Sequence, residues 1–176
     1  PGSHKKLMTD EECLDRVAES INLGLAATGD VAAVIELTAG QGSNVGRTLE
    51  QVARIIAGVS DRRRVGVCVD TAHVFAAGYD LAAPGGYESF MTDLDRVIGL
   101  GFLKGMHLND TRMALGSRKD RHASLGDGEL GWDLFERIAR DPRTEGIPLI
   151  LETPDTDLWP AEIARLAAAA RGGSTG

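Results

Sequence analysis

No stretch of about 18 consecutive apolar residues occurs in the sequence, so nothing in it reads as a membrane span. The N-terminus, Pro1-Gly2-Ser3-His4-Lys5-Lys6, lacks the apolar stretch of a secretory signal. Cysteine is scarce: Cys13 and Cys68 are the only two in 176 residues. That is too few for a disulfide framework, and Cys68 lies in an apolar run where a reduced core thiol is expected. These absences point to a reducing, cytoplasmic setting. Basic charge is not in excess either. Lys and Arg total 19 against 26 Asp and Glu, a formal net charge of −7. Such a balance excludes a coat protein that displaces counterions over a basic surface, though not a nucleic-acid enzyme whose site carries bound cations. An initiator methionine is also missing, as expected of a processed, trimmed or partial chain.

What is present is one domain's worth of chain, with 43% hydrophobic residues and 22 glycines, long enough to bury a core without staples. Apolar residues recur at helical spacing from Asp10 to Ala27 behind a capping box, Thr9 with Glu12. The β-branched run Val31–Ile35 reads as a buried strand ending in Glu36. A glycine-rich loop, Gly40 to Gly46, leads into a helix over Leu49–Val59. Three arginines, Arg62 to Arg64, read as a solvated cluster before the strand Val65–Val69, which ends in Asp70. The pattern repeats with a helix over Tyr87–Ile98, a strand over Leu103–Met106 ending in His107, and a long polar loop in which Gly126-Asp127-Gly128 reads as a turn. A helix over Trp132–Arg140, a strand over Ile147–Leu151 ending in Glu152, and a helix over Ala161–Ala170 complete the chain. Residues 1–171 read as the domain and 172–176 as a flexible tail.

Continuous apolar strands alternating with helices indicate an α/β fold with a parallel sheet. A full (β/α)8 barrel needs about 250 residues, about 200 at the least. Four βα units behind one leading helix make a partial barrel.

Each of the four strands ends in a potential metal ligand: Glu36, Asp70, His107 and Glu152. That edge is where parallel α/β folds place chemistry, and a lone carboxylate beside Val, Ile and Leu is costly unless a cation accompanies it. His73 follows Asp70 by three residues, in the turn into the next element. Asp120 and His122, at i and i+2 in extended backbone, leave on one side and can pinch one ion. Such a mixed imidazole and carboxylate set suits zinc or manganese better than calcium. His4, alone near the N-terminus, reads as structural. Gly40-Gln41-Gly42-Ser43 is neither a Walker A nor a G-x-G-x-x-G motif. Arg118, Lys119 and Arg121 share the loop with two candidate ligands, where positive charge meets a phosphate.

Taken together, Glu36-Leu37-Thr38-Ala39-Gly40-Gln41-Gly42-Ser43, Val69-Asp70-Thr71-Ala72-His73, Gly105-Met106-His107-Leu108-Asn109-Asp110, Asp120-Arg121-His122 and Leu149-Ile150-Leu151-Glu152-Thr153 resemble the endonuclease IV family. These are zinc-dependent apurinic/apyrimidinic endonucleases of DNA base-excision repair, folded as (β/α)8 barrels. The resemblance runs along nearly the whole chain, from Pro1-Gly2-Ser3-His4 onward. It implies that Glu36 bridges two zincs, that Asp70, His107 and Glu152 complete the second, and that His73, Asp120 and His122 hold a third. It implies Glu36 and Glu152 as catalytic residues and Arg121 as a DNA contact. The implied reaction is attack of hydroxide on the phosphorus 5′ to an abasic site in duplex DNA, leaving a 3′-hydroxyl. The family's two further histidines for the first zinc precede the matched region, so about two of the three zincs are expected on this chain. Leu37 stands where asparagine is common. Incision by the chain alone is expected to be weak, with an N-terminal half or a second copy supplying the missing ligands. Two other readings are a non-catalytic, self-associating metal-binding half-barrel and a xylose-isomerase-like sugar isomerase. The set Asp120-Arg121-His122 argues against the isomerase.

Overall fold

A computed structural model describes residues 1–172. The chain runs β1 (Gly2–Ser3), α1 (Asp10–Ala26), β2 (Ala33–Glu36), β3 (Asn44–Val45), α2 (Leu49–Ala57), β4 (Val65–Asp70) and α3 (Thr71–Ala77). It continues through α4 (Gly86–Val97), β5 (Leu103–His107), α5 (Gly131–Arg140), β6 (Leu149–Ile150) and α6 (Trp159–Gly172). Four strands form one parallel sheet in the order β2-β4-β5-β6, the half-barrel expected. β4 is buried along its whole length. It has a neighbour on each side, which is why its sequence is apolar without alternation.

Caps fix where the helices start. Thr9 and Glu12 make the expected capping box of α1. The Thr48 hydroxyl accepts from the Gln51 amide to start α2. Leu49, Val52, Ile55 and Ile56 then face the core, and Phe135 and Ile138 of α5 are equally buried.

Several local expectations change. The first strand begins at Ala33 rather than Val31, and the last spans only Leu149–Ile150, since Pro148 has no N–H to offer the ladder. Helix α3 follows β4 with no intervening residue. Gly40 and Gly42 take positive φ, 77° and 57°, and turn the chain so that β3 pairs antiparallel with β1. Arg64 is not merely solvated: it donates to the carbonyls of Val31 and Leu25 and to the Thr28 hydroxyl, closing the base of the sheet. Gly172 belongs to α6, and the rest of the expected tail lies outside the described residues.

The sheet stays open. β2 pairs only with β4 and β6 only with β5 among the described residues, and Val34 and Ile150 on these edges are about half exposed. Among the described residues no helix is long and apolar enough to cross a membrane.

Candidate metal centre

Parallel pairing in near register brings the strand ends level. Glu36 lies opposite Cys68, Asp70 opposite His107, and His107 opposite Ile150. The side chains converge at this edge. His107 Nδ1 stands 3.1 Å from Glu36 Oε1, 3.0 Å from Glu152 Oε2 and 3.7 Å from Asp70 Oδ2. His73, in the first turn of α3, places Nδ1 3.2 Å from Glu36 Oε1 and Nε2 3.2 Å from Asp120 Oδ1. His122 Nε2 lies 3.3 Å from Asp120 Oδ1 and 3.7 Å from Asp70 Oδ2. Two groups result, each compact enough to surround one ion: Glu36, Asp70, His107 and Glu152, and Asp70, His73 and His122. Asp70 belongs to both, and Asp120 sits between the imidazoles of the second.

All seven proposed ligands are thus brought together, whereas His4 lies apart, paired with Asp10. The Arg121 side chain is exposed and turned back on its own loop. Residues outside the predicted set hold the ligands in place. The buried Asn109 donates Nδ2–H to Asp70 Oδ2 at 2.7 Å and accepts the Glu152 amide at 2.9 Å, tying two candidate ligands together. Thr71 donates to the Asn109 carbonyl. Asp70 also caps α3 by accepting the His73 amide. The signal for Asn109 was its place two residues beyond a strand-end histidine.

The imidazoles fit a cation. His73 Nδ1 lies 3.0 Å from the Leu37 carbonyl and His122 Nδ1 3.2 Å from that of Glu152. Each arrangement orients the ring so that Nε2 faces the cluster. Both Nε2 atoms are buried and, although Asp120 Oδ1 lies within about 3.3 Å, neither makes a hydrogen bond with it, a costly state that a bound metal relieves.

Without metal, protonated imidazoles balance the charge of the carboxylates. Burial opposes charge on Glu36, but hydrogen bonds from His107 and His73 outweigh it and hold the group down to about 2. Burial likewise opposes charge on His73, yet the Glu36 hydrogen bond, then Asp70 and Asp120, carry it up to about 9. The Cys68 side chain and Glu36 raise His107 to about 11. Burial pushes Asp70 up. At pH 7 both His73 and His107 are therefore protonated in the metal-free chain, and ligation must expel those protons. Zinc binding is expected to release about two protons at pH 7 and to tighten as pH rises toward 9. Calorimetry in buffers of different ionisation enthalpy checks this; an affinity flat between pH 6 and 9 contradicts it.

An open parallel sheet with imidazole and carboxylate donors gathered at its C-terminal edge places the protein among the (β/α) barrels. More particularly, the chain belongs to the xylose isomerase-like TIM barrel family, whose model matches residues 1–171. It is similar to endonuclease IV from Thermus thermophilus, at 37% identity and a TM-score of 0.74, over 91% of this chain and 57% of that one. The crystal structure of AsfvAP:AG matches at a TM-score of 0.62 and 21% identity, over 86% of this chain and 58% of its own, a likeness of fold alone. The chain therefore spans less than two thirds of either.

Proposed function

We propose that the chain carries the larger part of the metal centre of a DNA-repair phosphodiesterase, one that hydrolyses the bond 5′ to an abasic site and leaves a 3′-hydroxyl. The observation that carries this reading is the second donor set. His73, His122 and Asp120 stand beside the strand-end cluster and share Asp70 with it. Such an additional set gathers more positive charge at this edge than the strand-end carboxylates could hold alone, and a phosphodiester presents several charged oxygens to be neutralised. Zinc suits these donors, and manganese is the second fit. Bound ions there supply activation of water and charge neutralisation at phosphorus.

The chain's own residues bind and orient. Glu36 and Glu152, whose side chains are 35% and 46% exposed, are the strand-end carboxylates that substrate and its water can reach, and we assign them the catalytic positions. Arg118, Lys119 and Arg121 lie in the loop that carries Asp120 and His122, where they meet the DNA backbone. Glu36 stands on the open edge strand β2, so its free side faces the place where an N-terminal half would close the barrel and complete a further metal site.

The test is nicking and binding of a duplex with one abasic site, with and without chelator. Weak, chelator-sensitive incision on the 5′ side is expected, with metal-dependent binding that prefers the abasic duplex. A metal-loaded chain that neither cuts that duplex nor distinguishes it from undamaged DNA contradicts the proposal.

A further inference from the structure

Two carboxylates outside the metal cluster are buried, and neither has a cationic partner among the described residues. Asp110 is fully buried and Glu162 is 4% exposed. Both grip the same segment, the loop between β5 and α5 that delivers Asp120 and His122. Asp110 Oδ1 accepts the amides of Thr111 (2.7 Å) and Leu130 (3.0 Å). Its Oδ2 accepts those of Gly126 (3.0 Å), Gly128 (3.2 Å) and Gly131 (3.2 Å). Five backbone donors from both ends of the loop thus converge on one side chain, a nest of the kind that satisfies an anion. The glycines are part of its construction: a Cβ on Gly128 would strike Asp110 and the Thr111 carbonyl, and Gly126 and Gly131 both have positive φ. The Asp110 carbonyl takes the Ala123 amide at 2.7 Å, one residue beyond His122. Glu162, from α6, accepts the Leu125 amide at 2.8 Å and the Thr153 hydroxyl at 3.1 Å, linking this loop to the residue after Glu152.

Backbone bonds such as those from the Gly116 and Arg118 amides to the Phe75 and Ala76 carbonyls tie the middle of this long connection to α3, but with little regular structure of its own its ends depend on side-chain contacts of this kind. We infer that Asp110 and Glu162 are positioning residues for the outer donor set. They fix the loop so that Asp120 and His122 stand against His73, and the outer ion is held tightly only when both grips are made. The inference rests on the metal-centre reading proposed above. The inner set depends on the clasp less, since Glu36, Asp70 and His107 end paired strands and Glu152 is held by Asn109 as well as through its neighbour Thr153.

The substitutions separate positioning from simple loss of stability. In Asp110→Asn, whichever way the amide turns, its NH2 faces two or three backbone N–H groups, so one end of the loop must release. In Glu162→Gln, Oε1 still accepts Leu125 and the NH2 donates to the Thr153 hydroxyl, so this conservative change should rescue the function that Glu162→Met removes. The experiment is zinc stoichiometry and chelator competition on the whole chain, with circular dichroism to establish folding. Asp110→Asn and Glu162→Met are expected to keep one tight ion and to bind the other about 10- to 100-fold more weakly, while Glu162→Gln matches the unmodified chain. If Asp110→Asn fails to fold, Glu162→Met carries the test. A folded variant that keeps both ions at full affinity, or loses both equally, overturns the inference. An unmodified chain that binds no metal overturns the metal-centre reading itself, and with it this one.

Discussion

Asp70→Asn is expected to strip the chain of both tightly bound ions while leaving its fold in place. Asp70 Oδ2 lies 3.7 Å from the ligand nitrogens of both His107 and His122, so this side chain is the pivot between the two donor sets. A neutral amide oxygen there is a weaker ligand for zinc than a carboxylate and removes negative charge from both groups. The structural cost is small because two effects oppose each other. Asparagine caps a helix about as well as aspartate, so the bond from the His73 amide survives, and a buried carboxyl that burial already pushes toward neutrality no longer has to be accommodated. Against this, the new NH2 faces Asn109 Nδ2, which cannot turn because its carbonyl oxygen holds the Glu152 amide. Such a donor conflict costs about 1–3 kcal/mol, or about 2–4 °C of melting temperature per kcal/mol in a chain of this size. The decisive readout is therefore the response to zinc. At 100 times its dissociation constant an ion stabilises the folded state by about 2.7 kcal/mol per site, so the unmodified chain should melt higher with zinc and Asp70→Asn should not respond. A variant that still gains stability from zinc and retains two ions contradicts a shared ligand at this position.

The legibility of this centre in the sequence follows from where each group sits. Glu36, Asp70, His107 and Glu152 stand out because each ends an apolar run, and an ionisable residue at that register has few bland explanations. The half-barrel is legible for the same reason, since buried parallel strands advertise themselves by continuity. Other features depend on partners distant in sequence. Gly2 and Ser3 form a strand only because the turn at Gly40–Gly42 brings Asn44 and Val45 back to them. Helix α3 is hidden because Asp70 is both the last residue of β4 and the cap of α3, leaving no loop residue to mark the change of period. Arg64 looks like one of three surface arginines until the carbonyls it binds are known. Asp110 and Glu162 are hardest to read, because their partners are mostly backbone amides, which every residue but proline possesses. The one sign of them was the recurrence of glycine at 126, 128 and 131 inside a ligand-bearing loop, a local composition that reads as a turn until something is found at its centre.

The double substitution Asp120→Ala with His122→Ala should remove one ion and spare the other. Both side chains reach the outer set, at 3.2 Å and 3.3 Å for Asp120 Oδ1 to the two imidazoles, and neither contributes to the inner group of Glu36, Asp70, His107 and Glu152. Metal content after gel filtration is expected to fall from about two ions per chain to about one, with ordinary second-ion affinity lost outright rather than reduced. Stability of the metal-free chain should barely change. The Asp120 side chain is 38% exposed, so its contact with His73 is screened by water, and the loop's anchors at Asp110 and Glu162 remain. This outcome also separates the two enzymatic readings of the barrel. A phosphodiesterase that needs its outer ion to neutralise phosphate loses incision together with that ion, whereas an isomerase working from the strand-end carboxylates alone keeps its chemistry. Unchanged metal content in the folded double variant would mean that these residues hold no ion. The buried Nε2 of His73, which forms no hydrogen bond even with Asp120 beside it, would then need another explanation, and the case for phosphodiester chemistry over sugar isomerisation would lose its main support.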